Sequence, residues 1–138
     1  MLVLDASLTV AWGFEDEPGS LAHGVLDRLE GESAAVPPIW PFEVANGVLV
    51  GERRQHWSPA DVAGFFALLT TLPIEIEAGG GSAPALAPVL ALAREHRLSV
   101  YDASYLELAL RRGLPLAMLD RRLQDAATRL GVSLVASG

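Results

Sequence analysis

The sequence predicts an α/β fold in which a parallel sheet is covered by helices on both faces. Three observations carry this. Short apolar runs at LVL (2–4), AAV (34–36) and PLAML (115–119) read as buried strands, segments with helical spacing separate them, and the turns between are short. Strand alternating with helix is the pattern of crossover units, whose strands lie parallel. The 138 residues are enough for a single domain, residues 1–138, with a core that needs no cross-links.

Each element has its own signal. LVL is followed at once by a helix from about Ala6 to Phe14. Pro18 opens a second helix, with Leu21, Val25, Leu26 and Leu29 on one stripe and a stop near Gly31. AAV is a weak strand, and Pro37, Pro38 and Pro41 confine entry to the third helix, where Glu43 falls in the first turns and Asn46 lies three residues on along the same face. Ser58, Pro59 and Asp61 mark the start of a fourth helix, with Val62, Phe65, Phe66 and Leu69 as its expected buried face. PIEIE (73–77) alternates as a strand and GGGS (79–82) as a turn, and Leu86, Val89, Leu90 and Ala93 stripe a fifth helix. LSVYD then reads as an apolar run leading into a helix that ends at about Arg112, before Gly113 and Pro115. After PLAML the last helix spans Arg121 to Leu130, Gly131 stops it, and VSLV gives a short final strand.

Composition removes several chemistries. With no cysteine there is no disulfide, thiol catalysis or Cys-ligated zinc, which suits a reducing compartment. The N-terminus lacks a basic leader and no apolar stretch is long enough for a membrane helix, so the expectation is a cytoplasmic protein without a membrane partner. The net charge of −7 lies wholly in residues 1–69, with ten acids and three arginines against seven of each in residues 70–138. So acidic a chain is a poor coat for nucleic acid, and any such contact has to be local or metal-assisted. All ten basic residues are arginine, read either as phosphate-binding forks or as codon bias in an Ala-, Gly- and Leu-rich chain. A hydrophobic content of 51% points either to a helical core rich in Ala and Leu or to an apolar patch that another chain covers.

The informative feature is where the acids stand. LVLDAS, LSVYDAS and LAMLDRR each end an apolar run in aspartate before a helix, at Asp5, Asp102 and Asp120. Ligands of open parallel sheets bind beyond the carboxyl ends of the strands, and Glu43 can reach that edge from its helix. Each aspartate alone reads as an N-cap, and Glu43 alone as a complement to its helix dipole. Capping gives no reason for aspartate, rather than Ser, Thr or Asn, at three places that one topology gathers. Four carboxylates brought together repel one another, and a divalent ion with a preference for hard oxygen ligands relieves this. The histidines His23, His56 and His96 are isolated, and the chain has no GxSxG, no HExxH and no lysine for a phosphate loop.

With LVLDAS, PFEVANGVL and AREHRLSVYDASYLELALRRGLPLAMLD, the chain resembles the PIN-domain family along essentially its whole length, and within it the VapC-type toxin ribonucleases of toxin–antitoxin pairs. The resemblance implies a three-layer α/β/α sandwich with a central, mainly parallel sheet and an acidic pocket binding Mg²⁺ or Mn²⁺. It also implies endoribonuclease activity on RNA, a homodimer, and a cognate antitoxin that covers the site. Residue by residue it assigns the four acids to Asp5, Glu43, Asp102 and Asp120, as metal ligands and catalytic residues. Asn46 matches the asparagine of EVAN and Ser7 the hydroxyl after the first aspartate. Met118 stands where many members have threonine, and Asp125 is a secondary candidate for the fourth acid. Arg121 and Arg122 are read either as the rim of the pocket or as a solvated first turn. Two other functions stay open: a catalytically silent PIN fold that only binds a partner, and another Asp-rich α/β phosphohydrolase. A dehalogenase-type phosphatase would want DxD where this chain has Asp5, Ala6 and Ser7, and a receiver domain would want a late lysine.

Overall fold

The computed structural model describes residues 1–14, 19–79 and 82–136. Pro18, the middle of GGGS and the side chain of Phe14 lie outside the described residues. The described chain runs β1 (Leu2–Leu4), α1 (Ala6–Phe14), α2 (Ser20–Arg28), β2 (Ala34–Val36), α3 (Trp40–Arg53), α4 (Pro59–Thr71), β3 (Ile74–Ile76), α5 (Ala83–His96), α6 (Val100–Arg112), β4 (Leu116–Ala117) and α7 (Arg121–Arg129).

The strands form one sheet in the order β3-β2-β1-β4, with every pairing parallel. β1 is therefore central, and Leu2, Val3 and Leu4 are fully buried, as expected of a strand covered on both faces. α1 packs against α2, α3 and α4, while α6 lies on β1 and β4 and against α5 and α7. The arrangement is the three-layer α/β/α fold the sequence predicts.

Local chemistry sets most of the boundaries. α4 starts with a full capping box: the Asp61 backbone N–H donates to Ser58 Oγ at 3.1 Å and the Ser58 N–H to the Asp61 carboxylate at 2.8 Å. Gly113 ends α6 at φ 64° in the left-handed region, where glycine has no Cβ to clash. The close approach of α1 to its neighbours also needs small residues. A Cβ on Gly47 would lie 2.8 Å from Val10 Cγ2, and one on Gly13 2.7 Å from both Phe65 Cδ1 and Trp57 Cη2.

Four expectations need correction. LSVYD forms no strand: Arg97 closes α5 in the left-handed region, and Ser99 caps α6 by accepting the Asp102 N–H at 3.0 Å. Asp102 is thus the third residue of a helix rather than the end of a strand. VSLV contributes only a single bridge, Leu134 to Leu116, because its neighbour β4 is itself two residues long. On α4 only Phe65 is fully buried, with Val62 and Leu69 partly so and Phe66 exposed. On α5, Val89 and Ala93 are buried while Leu86 and Leu90 face solvent. A helical stripe specifies a side of the helix, and the curvature of the neighbouring layer decides how much of it is covered.

Candidate active site

β1 ends where the sheet opens, and the residue after it is anchored on both sides. The Asp5 N–H donates to the Ala117 carbonyl of β4 at 3.0 Å, and the Asp5 carbonyl accepts from the Thr9 N–H at 3.2 Å in the first turn of α1. That carbonyl also accepts from the Thr9 hydroxyl at 3.0 Å, and the Trp40 indole N–H donates to the same hydroxyl at 3.2 Å. Thr9 is fully buried, so this relay fixes the backbone of Asp5 and ties the start of α3 to it. The Asp5 side chain, 7% exposed as a residue, accepts from the Ser7 hydroxyl.

Glu43 lies in the first turn of α3, where the helix dipole favours a carboxylate. The buried Tyr105 hydroxyl of α6 donates to its Oε1 at 2.7 Å. Tyr105 stands three residues after Asp102 and so shares a helix face with it. Asp120 caps α7, its Oδ1 accepting the Leu123 N–H at 3.1 Å. The capping reading thus holds for Asp120, and the capping residue is also on the site.

Asp5, Glu43, Asp102 and Asp120 line one cavity of about 760 Å³, together with Ser7 and Asn46. Burial pushes the Asp5 carboxyl up to about 6 from 3.8, helped by the negative charges of Glu43 and Asp102 and opposed by the Ser7 bond. Burial also raises Glu43, with Asp102 adding repulsion and Tyr105 opposing. Asp102 is raised by burial and then by Asp120, against the Ser99 bond. Burial and the bond to Glu43 push the Tyr105 phenol upward, so it remains a proton donor. Among the described residues no arginine or histidine lines the cavity, and none offers its negative charge a counter-ion there.

This donor set consists of carboxylate, amide and hydroxyl oxygens, the chemistry of a hard divalent cation rather than zinc or copper. Among the described residues no three carboxylate or imidazole side chains converge closely enough to hold an ion by themselves. Mg²⁺ ordinarily takes one or two carboxylates and keeps several waters, so an open cavity of spaced carboxylates fits it. Asp125 is not on the cavity lining, and neither are Arg121 and Arg122.

A family model described as PIN domain matches residues 2–129. The chain belongs to the PIN-domain family. PIN domains are typically nucleases and usually use divalent metal ions. The crystal structure of PAE2754 from Pyrobaculum aerophilum is similar, with a TM-score of 0.66 and 25% identity over 91% of this chain and 83% of that one. No curated protein sequence matches significantly. Within this PIN domain, Thr9, Trp40 and Tyr105 hold the acids in place, and the sequence pattern assigns none of the three to the site. Tyr105 stands within YDASYLELA, where its i+3 spacing from Asp102 is the local signal; Thr9 and Trp40 bond each other across 31 residues, which no local pattern marks. No described helix is long and apolar enough to cross a membrane.

Proposed function

We propose that this PIN domain is a Mg²⁺- or Mn²⁺-dependent endoribonuclease, the toxin of a toxin–antitoxin pair, acting in the cytoplasm as a homodimer under the control of its antitoxin. One observation carries the nuclease reading: four carboxylates from four segments of the chain line one cavity, with no basic residue beside them among the described residues. Asp5, Glu43, Asp102 and Asp120 would hold the ion, directly or through its waters. Bound there, a divalent ion lowers the pKa of a water and offsets charge on the phosphoryl oxygens.

The protein's own contribution is positional. The Thr9–Trp40 relay and the Ala117 bond fix Asp5, Tyr105 holds Oε1 of Glu43, and the α7 cap orients Asp120. Asn46 adds an uncharged amide to the cavity lining. Phe66 on α4 and Leu86 and Leu90 on α5 are apolar side chains open to solvent that a second copy or the antitoxin would cover.

The test incubates structured and unstructured RNAs with the purified protein and Mg²⁺ or Mn²⁺. Wild type should cleave, a chelator should abolish cleavage, and Asp5→Asn and Asp102→Asn should each lose at least about 100-fold, the scale of removing an electrostatic catalytic group. Equal cleavage by all three proteins would sink the reading.

A further inference from the structure

The carboxylates do not account for the whole cavity. Three large apolar side chains on its lining are open to solvent: Phe42 is 73% exposed, Tyr101 57% and Leu119 49%. Each immediately precedes an acid of the site, Glu43, Asp102 and Asp120 in turn. They come from α3, from α6 and from the segment joining β4 to α7, so the apolar surface is spread around the cavity rather than confined to one helix. No aromatic partner packs on Phe42 or Tyr101 among the ring pairs of the described residues.

The same lining contains no arginine and no histidine, and the chain contains no lysine. Proteins that hold polynucleotides by their phosphates do so with basic side chains, and this cavity has none to offer. Its fixed charges repel a phosphate and leave an uncharged base alone. Every base has a π-face that stacks on an exposed aromatic ring whatever the sequence, and a base can reach such a ring only when it is unpaired.

We propose that Phe42 and Tyr101 form a stacking platform for unpaired nucleobases beside the scissile phosphodiester, with Leu119 extending the apolar contact. The protein then grips single-stranded RNA chiefly through its bases, and the scissile phosphate is positioned rather than captured. The inference rests on the nuclease reading above and adds how substrate is held. It carries two consequences: RNA paired at the cleavage site is a poor substrate, and binding falls only weakly with salt, since few protein cations displace counter-ions.

The test uses the full chain with Mn²⁺, an unstructured oligoribonucleotide and the same oligonucleotide with single abasic residues on either side of the bond that wild type cleaves. Phe42→Ala and Tyr101→Ala should each raise KM by about 5- to 150-fold, the range of one lost base–ring stack. The loss should fall on KM with Mn²⁺ affinity retained, and Tyr101→Phe should restore KM. An abasic residue at the matching position should raise the wild-type KM by a similar factor and add little to the alanine variant. Alanine and abasic losses that add in full, or a steep salt dependence, would overturn the platform. Unchanged KM with altered self-association would assign the rings to a protein interface instead. If wild type cleaves and the ring variants match it, only the platform fails; if wild type cleaves nothing, the nuclease reading fails first.

Discussion

Two groups of acids in this molecule live under opposite conditions. Glu77 and Glu107 are matched by cations: Arg111 donates to Glu107 at 2.8 Å and to Glu77 at 3.0 Å, and Arg112 to Glu77 at 3.2 Å. Glu32 is likewise paired with Arg28 at 3.1 Å and with the N-terminal ammonium at 3.2 Å, and its carboxyl is held below the usual range, first by the Arg28 bond. In the cavity, Asp5, Glu43 and Asp102 have only neutral hydrogen-bond donors and one another, and all three carboxyls are raised. A chain with ten arginines places some beside its surface acids and none in the cavity. Folding alone would not favour that distribution, because buried unpaired charge is costly. The unmatched group makes sense as a site whose counter-ion comes from outside the chain.

The comparison breaks most visibly at Asp5. Asp5→Asn should remove at least about 100-fold of the cleavage rate and yet stabilise the metal-free protein at pH 7.5, by up to about 3 kcal/mol from the shift between 3.8 and about 6. Chemical denaturation measures this, and destabilisation would contradict it. The sign follows from linkage. With its pKa raised on folding, Asp5 binds more protons in the native state, so its charge penalty is absent at low pH and grows as pH rises from about 4 to 6. Glu32 has the opposite sign, its contribution being lost as pH falls. Divalent cation should therefore raise the melting temperature more at pH 7.5 than at pH 5.

Gly47→Ala sharpens the geometry. Its new Cβ, 2.8 Å from Val10, pushes α1 from α3 and moves Asp5 relative to Glu43. A stability loss of about 1–3 kcal/mol is expected, together with weaker Mn²⁺ binding. Tyr105→Phe keeps the ring and removes the donor to Glu43, a loss of about 1.5 kcal/mol that should appear as roughly tenfold weaker Mn²⁺ binding in calorimetry. At the small end, Glu77→Gln should change stability by no more than about 1 kcal/mol and leave cleavage untouched, since pairs whose arginines are partly open to solvent contribute little. A larger effect there would show that the paired group is not merely structural.

Much of this was legible in the order of residues. LVL before Asp5, Ser58 with Pro59 and Asp61, and Gly113 after α6 each carry a local signal that the fold respects. Asp102 was found for a partly mistaken reason: LSVYD has the hydropathy of a strand, while the Ser99 cap and the left-handed Arg97 make it the start of a helix. Hydropathy does not register a cap that satisfies helix N–H groups. Trp40 is buried and Phe42 73% exposed although they stand two residues apart, because α3 has only one covered side. The Thr9–Trp40 relay depends on contacts between α1 and α3 that no local pattern encodes.

Titrating Mn²⁺ into the protein at pH 7.5 by calorimetry asks whether the unmatched carboxylates form a divalent-cation site. Saturable binding by wild type that Asp5→Asn and Asp102→Asn each weaken at least about tenfold is the predicted result. No saturable binding by wild type, or binding that both variants retain in full, would contradict it.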